Sequence, residues 1–270
     1  MARIKRMERV VALTKELVDN PYVLFPFAKF CQKFGVAKST LSEDVQAIRG
    51  GLSAYDLGII ETVSGASGGV RFIPYHSTED DSTFLQQLAA QLAEPERILP
   101  GGLLYMNDLL FTPSVIMRLG EIVMQRCQAL APEYIMTVET KGIPLALCVA
   151  RAFNIPLVMA RRTARFTEGP AVSINYVSGS TKKIQSMSLP KRALPAGGKV
   201  LIIDDFMKAG GTAKGLQELA QEVGAEVVGT GCLVATEQPQ LKMVAEYFSL
   251  LVLDEVDESK KISRVTPVLI

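Results

Sequence analysis

The stretch 200-VLIIDDFMKAGGT-212 restricts the folds open to this chain more tightly than any other segment. Residues 200–203 are an unbroken apolar run of strand length, the pattern of a strand covered on both faces in a parallel sheet. Asp204 and Asp205 follow at once, so two carboxylates stand at a strand's carboxyl end, the edge where open α/β sheets bind ligands. The turn 209-AGGT-212 comes next. Behind it, 212-TAKGLQELAQEVG-224 spaces Leu216, Leu219, Ala220 and Val223 along one helical face and places Gly224 as the C-cap.

A turn that opens a helix gathers backbone N–H groups and the positive end of the helix dipole at one point, and that point favours an anion. Gly210 and Gly211 let the backbone approach a phosphate closely, and the Thr212 hydroxyl adds a donor. Two carboxylates beside a phosphate repel it unless they face another group. Vicinal ribose hydroxyls are suited to donate hydrogen bonds to them, and the pair also fits part of a divalent cation's shell. The same residues are compatible with a plainer role, in which the acids end a strand and cap the next helix while the glycines only make a tight turn.

With 270 residues and 48% hydrophobic content, the chain can bury one large core or a medium core plus a small module. No apolar stretch approaches the roughly 20 residues of a membrane span, and the N-terminus mixes charges through its apolar positions. A soluble, unexported, cytoplasmic protein is expected. Cys31, Cys127, Cys148 and Cys232 are scattered without metal-type spacing and are expected as reduced, mostly buried thiols. The single histidine, His76, leaves little basis for a histidine triad or a zinc site, and no metal ligand set is assigned. Charge is unevenly divided. Residues 1–75 hold ten Lys and Arg against seven Asp and Glu, and the remainder holds 19 against 21.

Along the basic part, residues 4–20 carry Met7, Val10, Val11, Leu17 and Val18 on one helical face, stopped by Asn20-Pro21. A second helix fits from about Phe25 to Phe34, with Gly35 as the turn. The segment 38-KSTLSEDVQAIR-49 predicts a third, with Ser39 or Thr40 as N-cap and Thr40 with Glu43 as a capping box. Two helices joined by a glycine turn form a helix-turn-helix, and the strands 57-LGIIETV-63 and 70-VRFIP-74 around SGASGG form a wing. The polar residues 75–81 mark a boundary before a helix over 82–93. Strands are then predicted over 134–140, 156–160, 200–205, 226–235 and 247–256, the last of the chain, with helices over 142–154 and 212–224. An antiparallel arm is predicted around Gly179-Ser180. Such alternation predicts an α/β fold with a mostly parallel sheet behind the N-terminal module, dividing the chain into domains at 1–75 and 76–270.

An apolar run, two acids, a short gap and Gly-Gly-Thr closely resemble the 5-phosphoribosyl-1-diphosphate (PRPP) motif of type I phosphoribosyltransferases. The resemblance implies that Asp204 and Asp205 bind ribose hydroxyls and that Ala209, Gly210, Gly211 and Thr212 cradle the 5-phosphate. The loop 139-ETKG-142 resembles the family's diphosphate loop, which implies a ligand role for Glu139, Thr140, Lys141 and Gly142, with Lys141 supplying charge. Phe206 and Lys208 lie inside the motif and are assigned to the same ligand. Arg161, with Arg162, is assigned as added positive charge near the diphosphate, and Tyr105 as an aromatic contact. Lys141 also suits an ordinary exposed lysine, and the arginine pair suits a salt bridge.

A basic winged helix ahead of such a domain is similar over the whole chain to the pur operon repressor family of winged-helix plus phosphoribosyltransferase type, distinct from the sugar-binding-type purine repressors. That resemblance implies a homodimeric regulator of purine synthesis genes whose ancestral enzyme domain senses PRPP, with Mg²⁺, and does not catalyse transfer. Lys38, Ser39, Thr40 and Ser42 at the start of the recognition helix are candidates for contacts to a double-stranded DNA operator. Arg71 on the wing is another, and Arg3, Lys5, Arg6 and Arg9 would extend the basic surface. Each also fits an ordinary surface charge. The competing expectation is an active purine phosphoribosyltransferase carrying a DNA-binding module, and a weaker one is a DNA-binding protein whose sheet domain only dimerises.

Overall fold

A computed structural model describes residues 4–65, 68–101, 103–163, 169–177 and 184–269. The chain divides into two compact units, Met1–Ser77 with Arg151–Asn154 and Thr78–Ala150 with Ile155–Ile270.

The first unit contains α1 (Arg6–Asp19), β1 (Phe25–Pro26), α2 (Phe27–Phe34), α3 (Lys38–Ser53), β2 (Ile59–Val63) and β3 (Gly69–Ile73). Leu13 and Leu17 of α1, Phe30 of α2, and Leu41, Val45 and Ile48 of α3 recur at helical spacing and close over Phe25, Ile60, Val70 and Phe72. Gly35 ends α2 in the left-handed conformation, φ 65°, and turns the chain into α3. This is a helix-turn-helix followed by an antiparallel wing, with strand order β1-β3-β2. Two details differ from expectation. The second helix starts at Phe27 because Phe25 and Pro26 pair with Val70 and Gly69 of the wing. The third starts at Lys38 behind Ala37, whose side chain cannot cap, so the helix is already under way where the Thr40–Glu43 box would have begun it.

One ion pair fastens α1 to α3. Arg9 is 6% exposed and Asp44 is fully buried. Arg9 Nε donates to Asp44 Oδ2 and Nη2 donates to Oδ1 at 3.1 Å, so both carboxylate oxygens are used in a forked geometry. Arg9 therefore does not extend the basic surface. Arg6 reaches the same carboxylate at 3.4 Å from a side chain that remains 63% exposed. A second fastening joins α3 to the wing, where Arg49 Nε donates to the Ile60 carbonyl at 3.0 Å and Nη2 to Thr62 Oγ1 at 2.6 Å.

The second unit opens with α4 (Thr78–Leu92), the short hairpin β4 (Ile98–Leu99) and β5 (Leu103–Leu104), α5 (Asn107–Leu110) and α6 (Pro113–Cys127). It continues through β6 (Tyr134–Val138), α7 (Ile143–Phe153, whose last residues from Arg151 are assigned to the first unit), β7 (Leu157–Ala160), β8 (Ala171–Val177), β9 (Ile184–Pro190), β10 (Lys199–Met207), α8 (Gly211–Glu222), β11 (Glu226–Thr236), β12 (Phe248–Asp257) and β13 (Ile262–Pro267). The central sheet has the order β13-β12-β11-β10-β6-β7, parallel throughout except for β13. Residues 200–203 of β10 are completely buried in its middle, as a two-face-covered strand requires. β8 and β9 form the antiparallel arm; the expected turn at Gly179-Ser180 lies outside the described residues. Tyr176 of that arm packs against α8 at Gly215.

Three expectations are corrected here. The strand ending at Asp257 is not the last, because β13 pairs antiparallel with it as a sheet edge. The polar boundary at 75–81 is partly helical, and Glu79, Asp80 and Asp81 occupy the first turn of α4, where the helix dipole favours acids. The helix α6 fills a region to which no element was assigned. The cysteines are free, Cys127 and Cys232 buried, with burial pushing the Cys127 thiol up to about 12. Among the described residues no helix is long and apolar enough to cross a membrane.

Replacing Arg9 with alanine should strand a buried carboxylate and destabilise the chain's N-terminal unit by about 3 kcal/mol. Arg6→Ala should cost less than about 1 kcal/mol, because most of that side chain is in water. Denaturant unfolding of both variants reads the difference.

Candidate functional site

Strands β6 and β10 lie side by side and parallel, with Val200 opposite Tyr134 and Ile202 opposite Met136. Their following loops, 139–142 and 208–210, therefore emerge at one edge of the sheet, and β7, parallel to β6 on its other side, delivers Arg161 and Arg162 to the same edge. The first loop reaches the acidic pair on β10. A methyl group on Gly142 would lie 2.5 Å from Thr137 Oγ1 and 2.7 Å from Asp204 Oδ1, so only glycine lets the first loop rest against the acidic pair.

Asp204 is 7% exposed, and its Oδ1 accepts the Asp205 N–H at 2.9 Å. Burial first, and then the neighbouring charge of Asp205, push its carboxyl well above the usual carboxylate range, while the charge of Arg162 acts the other way. Beside it, Thr137 is fully buried and its hydroxyl oxygen has no hydrogen-bond partner in the protein. An acid poised towards protonation and an orphaned hydroxyl mark a polar cluster that the protein alone leaves incomplete. Thr137 was not singled out from the sequence. Its only signal there is a hydroxyl at the end of an otherwise apolar strand.

Next to this cluster, a cleft of about 210 Å³ is lined by Asp204, Phe206, Lys208, the turn 209–212, and Leu103 of β5. Gly210, at φ 80°, is the N-cap of α8 and makes no side-chain cap bond, so the N–H groups of the first helical turn remain open to a ligand. The cleft gathers Asp204, Phe206, Lys208, Ala209, Gly210, Gly211 and Thr212. Asp205 is half-buried beside it. Glu139 is turned to structural use: its carboxylate accepts the Arg162 N–H at 2.7 Å and pairs with Arg161 Nη1 at 3.4 Å. Arg161 is thus tied to Glu139, and its backbone exchanges hydrogen bonds with Ser188. Thr140 and Lys141 are exposed at the loop tip, where the Glu139–Thr140 peptide is cis. Tyr105 is 43% exposed, outside the cleft lining, with its N–H bonded to the Arg97 carbonyl.

In the first unit, Lys5, Arg6 and Thr40 line one groove with Arg9 and Gly35. Lys38 and Ser42 line a second with Phe27, Cys31 and Thr62, between the helix-turn-helix and the wing. Ser39 is exposed on the first turn of α3, whose N-terminus has no side-chain cap. Arg71 sits opposite Glu61 in the wing, bonds to it, and lies over the Tyr22 ring. Its charge is already neutralised. Arg3 lies outside the described residues.

A winged helix-turn-helix joined to an α/β unit with a phosphoribosyltransferase-type loop pair defines a two-part class of protein. Residues 5–74 match the family model for the bacterial purine repressor N-terminal domain, and residues 107–266 match that for the phosphoribosyl transferase domain. The chain is 44% identical to the purine biosynthesis transcriptional repressor PurR of Bacillus subtilis, over 96% of this chain and 91% of that protein. It is 37% identical to the purine biosynthesis transcriptional activator PurR of Lactococcus lactis, over 94% of both. Among solved structures, adenine phosphoribosyltransferase from Thermoanaerobacter pseudethanolicus superposes with a TM-score of 0.53 at 17% identity, covering 62% of this chain and 98% of that one, which shows the fold. The chain belongs to the bacterial purine repressor (PurR) family.

Two outcomes follow at the cleft. Gly142→Ala should force the 139–142 loop away from Asp204 and lower stability by about 1–3 kcal/mol, read by thermal unfolding. Because the folded protein raises the Asp204 pKa, the carboxyl's contribution to stability is present at low pH and lost as the pH rises. Asp204→Asn should therefore be more stable than the wild type, by a margin that opens as the pH rises above about 4 in unfolding measured across pH.

Proposed function

We propose that this chain is a DNA-binding transcriptional regulator of purine biosynthesis genes, acting as a homodimer, with PRPP as its small-molecule effector. The observation that supports the reading is the contact of the 139–142 loop with the acidic pair: Gly142 rests on Asp204, which also lines the cleft at the 209–212 turn, so a single ligand at Asp204 is within reach of both loops. The 5-phosphate of PRPP is taken by the open N–H groups of the 209–212 turn at the start of α8. Its ribose hydroxyls donate to Asp204 and Asp205, and those bonds return the buried carboxyl to its charged form. The diphosphate lies against the backbone of the 139–142 loop, with Lys141 closing from the exposed side. A Mg²⁺ ion arrives with the diphosphate, for which phosphate oxygens and a carboxylate make a suitable shell. The site orients and screens its ligand without a base assigned to transfer chemistry, and in this reading the unit is a sensor.

On the DNA side, the uncapped N-terminus of α3 with Ser39 and Thr40, and the flanking Lys5, Arg6, Lys38 and Ser42, form the surface presented to a major groove. Arg71 supports the wing from within. PRPP alters DNA affinity only to the extent that it favours one conformation or dimer arrangement over another. The relatives' names, repressor in one species and activator in another, fit one set of parts wired with either sign.

Titration of operator DNA at fixed salt, with and without PRPP and Mg²⁺, tests this. PRPP should shift the wild-type affinity at least fivefold, on the scale of ordinary allosteric couplings, and should leave a variant with Asp204→Ala and Asp205→Ala unaffected. Equal wild-type affinities in both arms would refute the coupling. The match to the phosphoribosyl transferase family favours the enzyme as a second reading. It requires diphosphate release when the protein is incubated with PRPP, Mg²⁺ and each purine base in turn; none is expected.

A further inference from the structure

The 209–212 turn presents N–H groups to the cleft only if its carbonyl oxygens point elsewhere, and the structure shows what holds them. Lys242, in the segment between β11 and β12, donates from Nζ to the Lys208 carbonyl at 2.5 Å, to the Thr236 carbonyl at 2.7 Å and to Thr236 Oγ1 at 3.2 Å. All three ammonium protons have oxygen partners, and all three partners are uncharged. One residue on, the Met243 N–H donates to the Ala209 carbonyl at 2.8 Å. The carbonyls of Lys208 and Ala209 are thus both drawn to the back of the turn by consecutive residues of one segment. Val244 then anchors that segment in a small apolar cluster with Met207, Ala213, Cys232 and Ala235. The backing is close: a methyl group on Gly210 would lie 3.3 Å from both the Met243 nitrogen and Val244 Cγ2. Lys242 is half-buried, and desolvation lowers its ammonium pKa.

We infer that Lys242 and the Met243 N–H form a clasp that turns the 208–209 carbonyls away from the cleft and sets the 209–212 N–H groups for the oxygens of a phosphate monoester. Lys242 is a positioning residue that acts through the turn, and its positive charge behind the turn adds to the potential felt by the anion in front. The inference rests on the ligand reading above and assigns this apparatus to one end of that ligand, the 5-phosphate. The diphosphate end is assigned to the 139–142 loop after β6, whereas the clasp's hydrogen bonds go to residues 208, 209 and 236.

Calorimetry on the full-length chain, with ribose 5-phosphate, inorganic diphosphate with Mg²⁺, and PRPP with Mg²⁺ as probes, separates the possibilities. Lys242→Met should weaken ribose 5-phosphate and PRPP at least tenfold while changing diphosphate less than twofold. Lys242→Arg, which keeps a charged donor, should recover ribose 5-phosphate binding to within about threefold of wild type. Should Lys242→Met fail to fold, Thr236→Val removes one partner of the ammonium, and a selective loss of ribose 5-phosphate is again expected. Unchanged ribose 5-phosphate binding in a folded Lys242→Met or in Thr236→Val overturns the clasp. An equal loss for diphosphate and ribose 5-phosphate also overturns it, because the segment would then support the whole unit rather than the turn. A wild type that binds none of the probes fails the underlying ligand reading instead.

Discussion

The parallel pairing of β6 with β10 is the constraint on which the rest of the second unit depends. Parallel neighbours run to the same sheet edge, so an acidic pair near the carboxyl end of one strand and a glycine-ended loop after the other are forced into each other's company. Burying a carboxyl there is unfavourable, and the protein concedes it: Asp204 shifts towards its neutral form, and the Thr137 hydroxyl has no partner. Neither feature helps the fold on its own. Both make sense if a hydroxylated, phosphorylated ligand completes the cluster, because a group binding only the native state stabilises it by mass action.

The loop at the head of α8 follows the same logic from the opposite sign. Gly210 adopts a left-handed φ, the helix cap has no side-chain oxygen, and the carbonyls of residues 208 and 209 are bonded from behind. The result is a turn polarised with donors forward. Placed next to a carboxyl pair, it sets a donor patch and an acceptor patch at adjacent positions, the arrangement that the proposed sugar-phosphate ligand requires.

What the sequence disclosed, and what it did not, divides along a physical line. β10, its acidic pair and α8 were readable because a continuous apolar run, a glycine turn and a helical stripe are all local signals. The helix-turn-helix and wing were readable for the same reason. The capping box was misread because a good local cap at Thr40 lost to an earlier helix start set by the packing of Leu41, Val45 and Ile48. The edge strand β13 was missed because ISRVTP is short and mixed, and its partner lies across a turn. Nothing local marks Arg9 as buried, because Asp44, its partner, is 35 residues away. Arg161 and Glu139, assigned separately to the ligand, turn out to be each other's partners across the neighbouring strands β6 and β7. Pairings of this kind depend on which strands and helices become neighbours, and periodicity carries no record of them.

The charge arrangement of the first unit also bears on how the proposed regulator works. Its excess of basic residues is small, and many are committed: Arg9 to Asp44, Lys29 and Lys33 to Glu16, Lys15 to Asp19, Arg71 to Glu61. Each phosphate neutralised by a free cation contributes to affinity through counterion release, so a module with few free cations binds DNA weakly by itself. In the proposed dimer two such modules would overcome this, because the second contact becomes intramolecular and its gain depends on whether both can engage at once. Affinity in such a system is governed by the spacing of the modules more than by the contacts of either one. An effector need not reach α3 to act; a change in how two copies present their modules to DNA suffices. On the proposed reading, the weakness of the single module is what makes its pairing controllable.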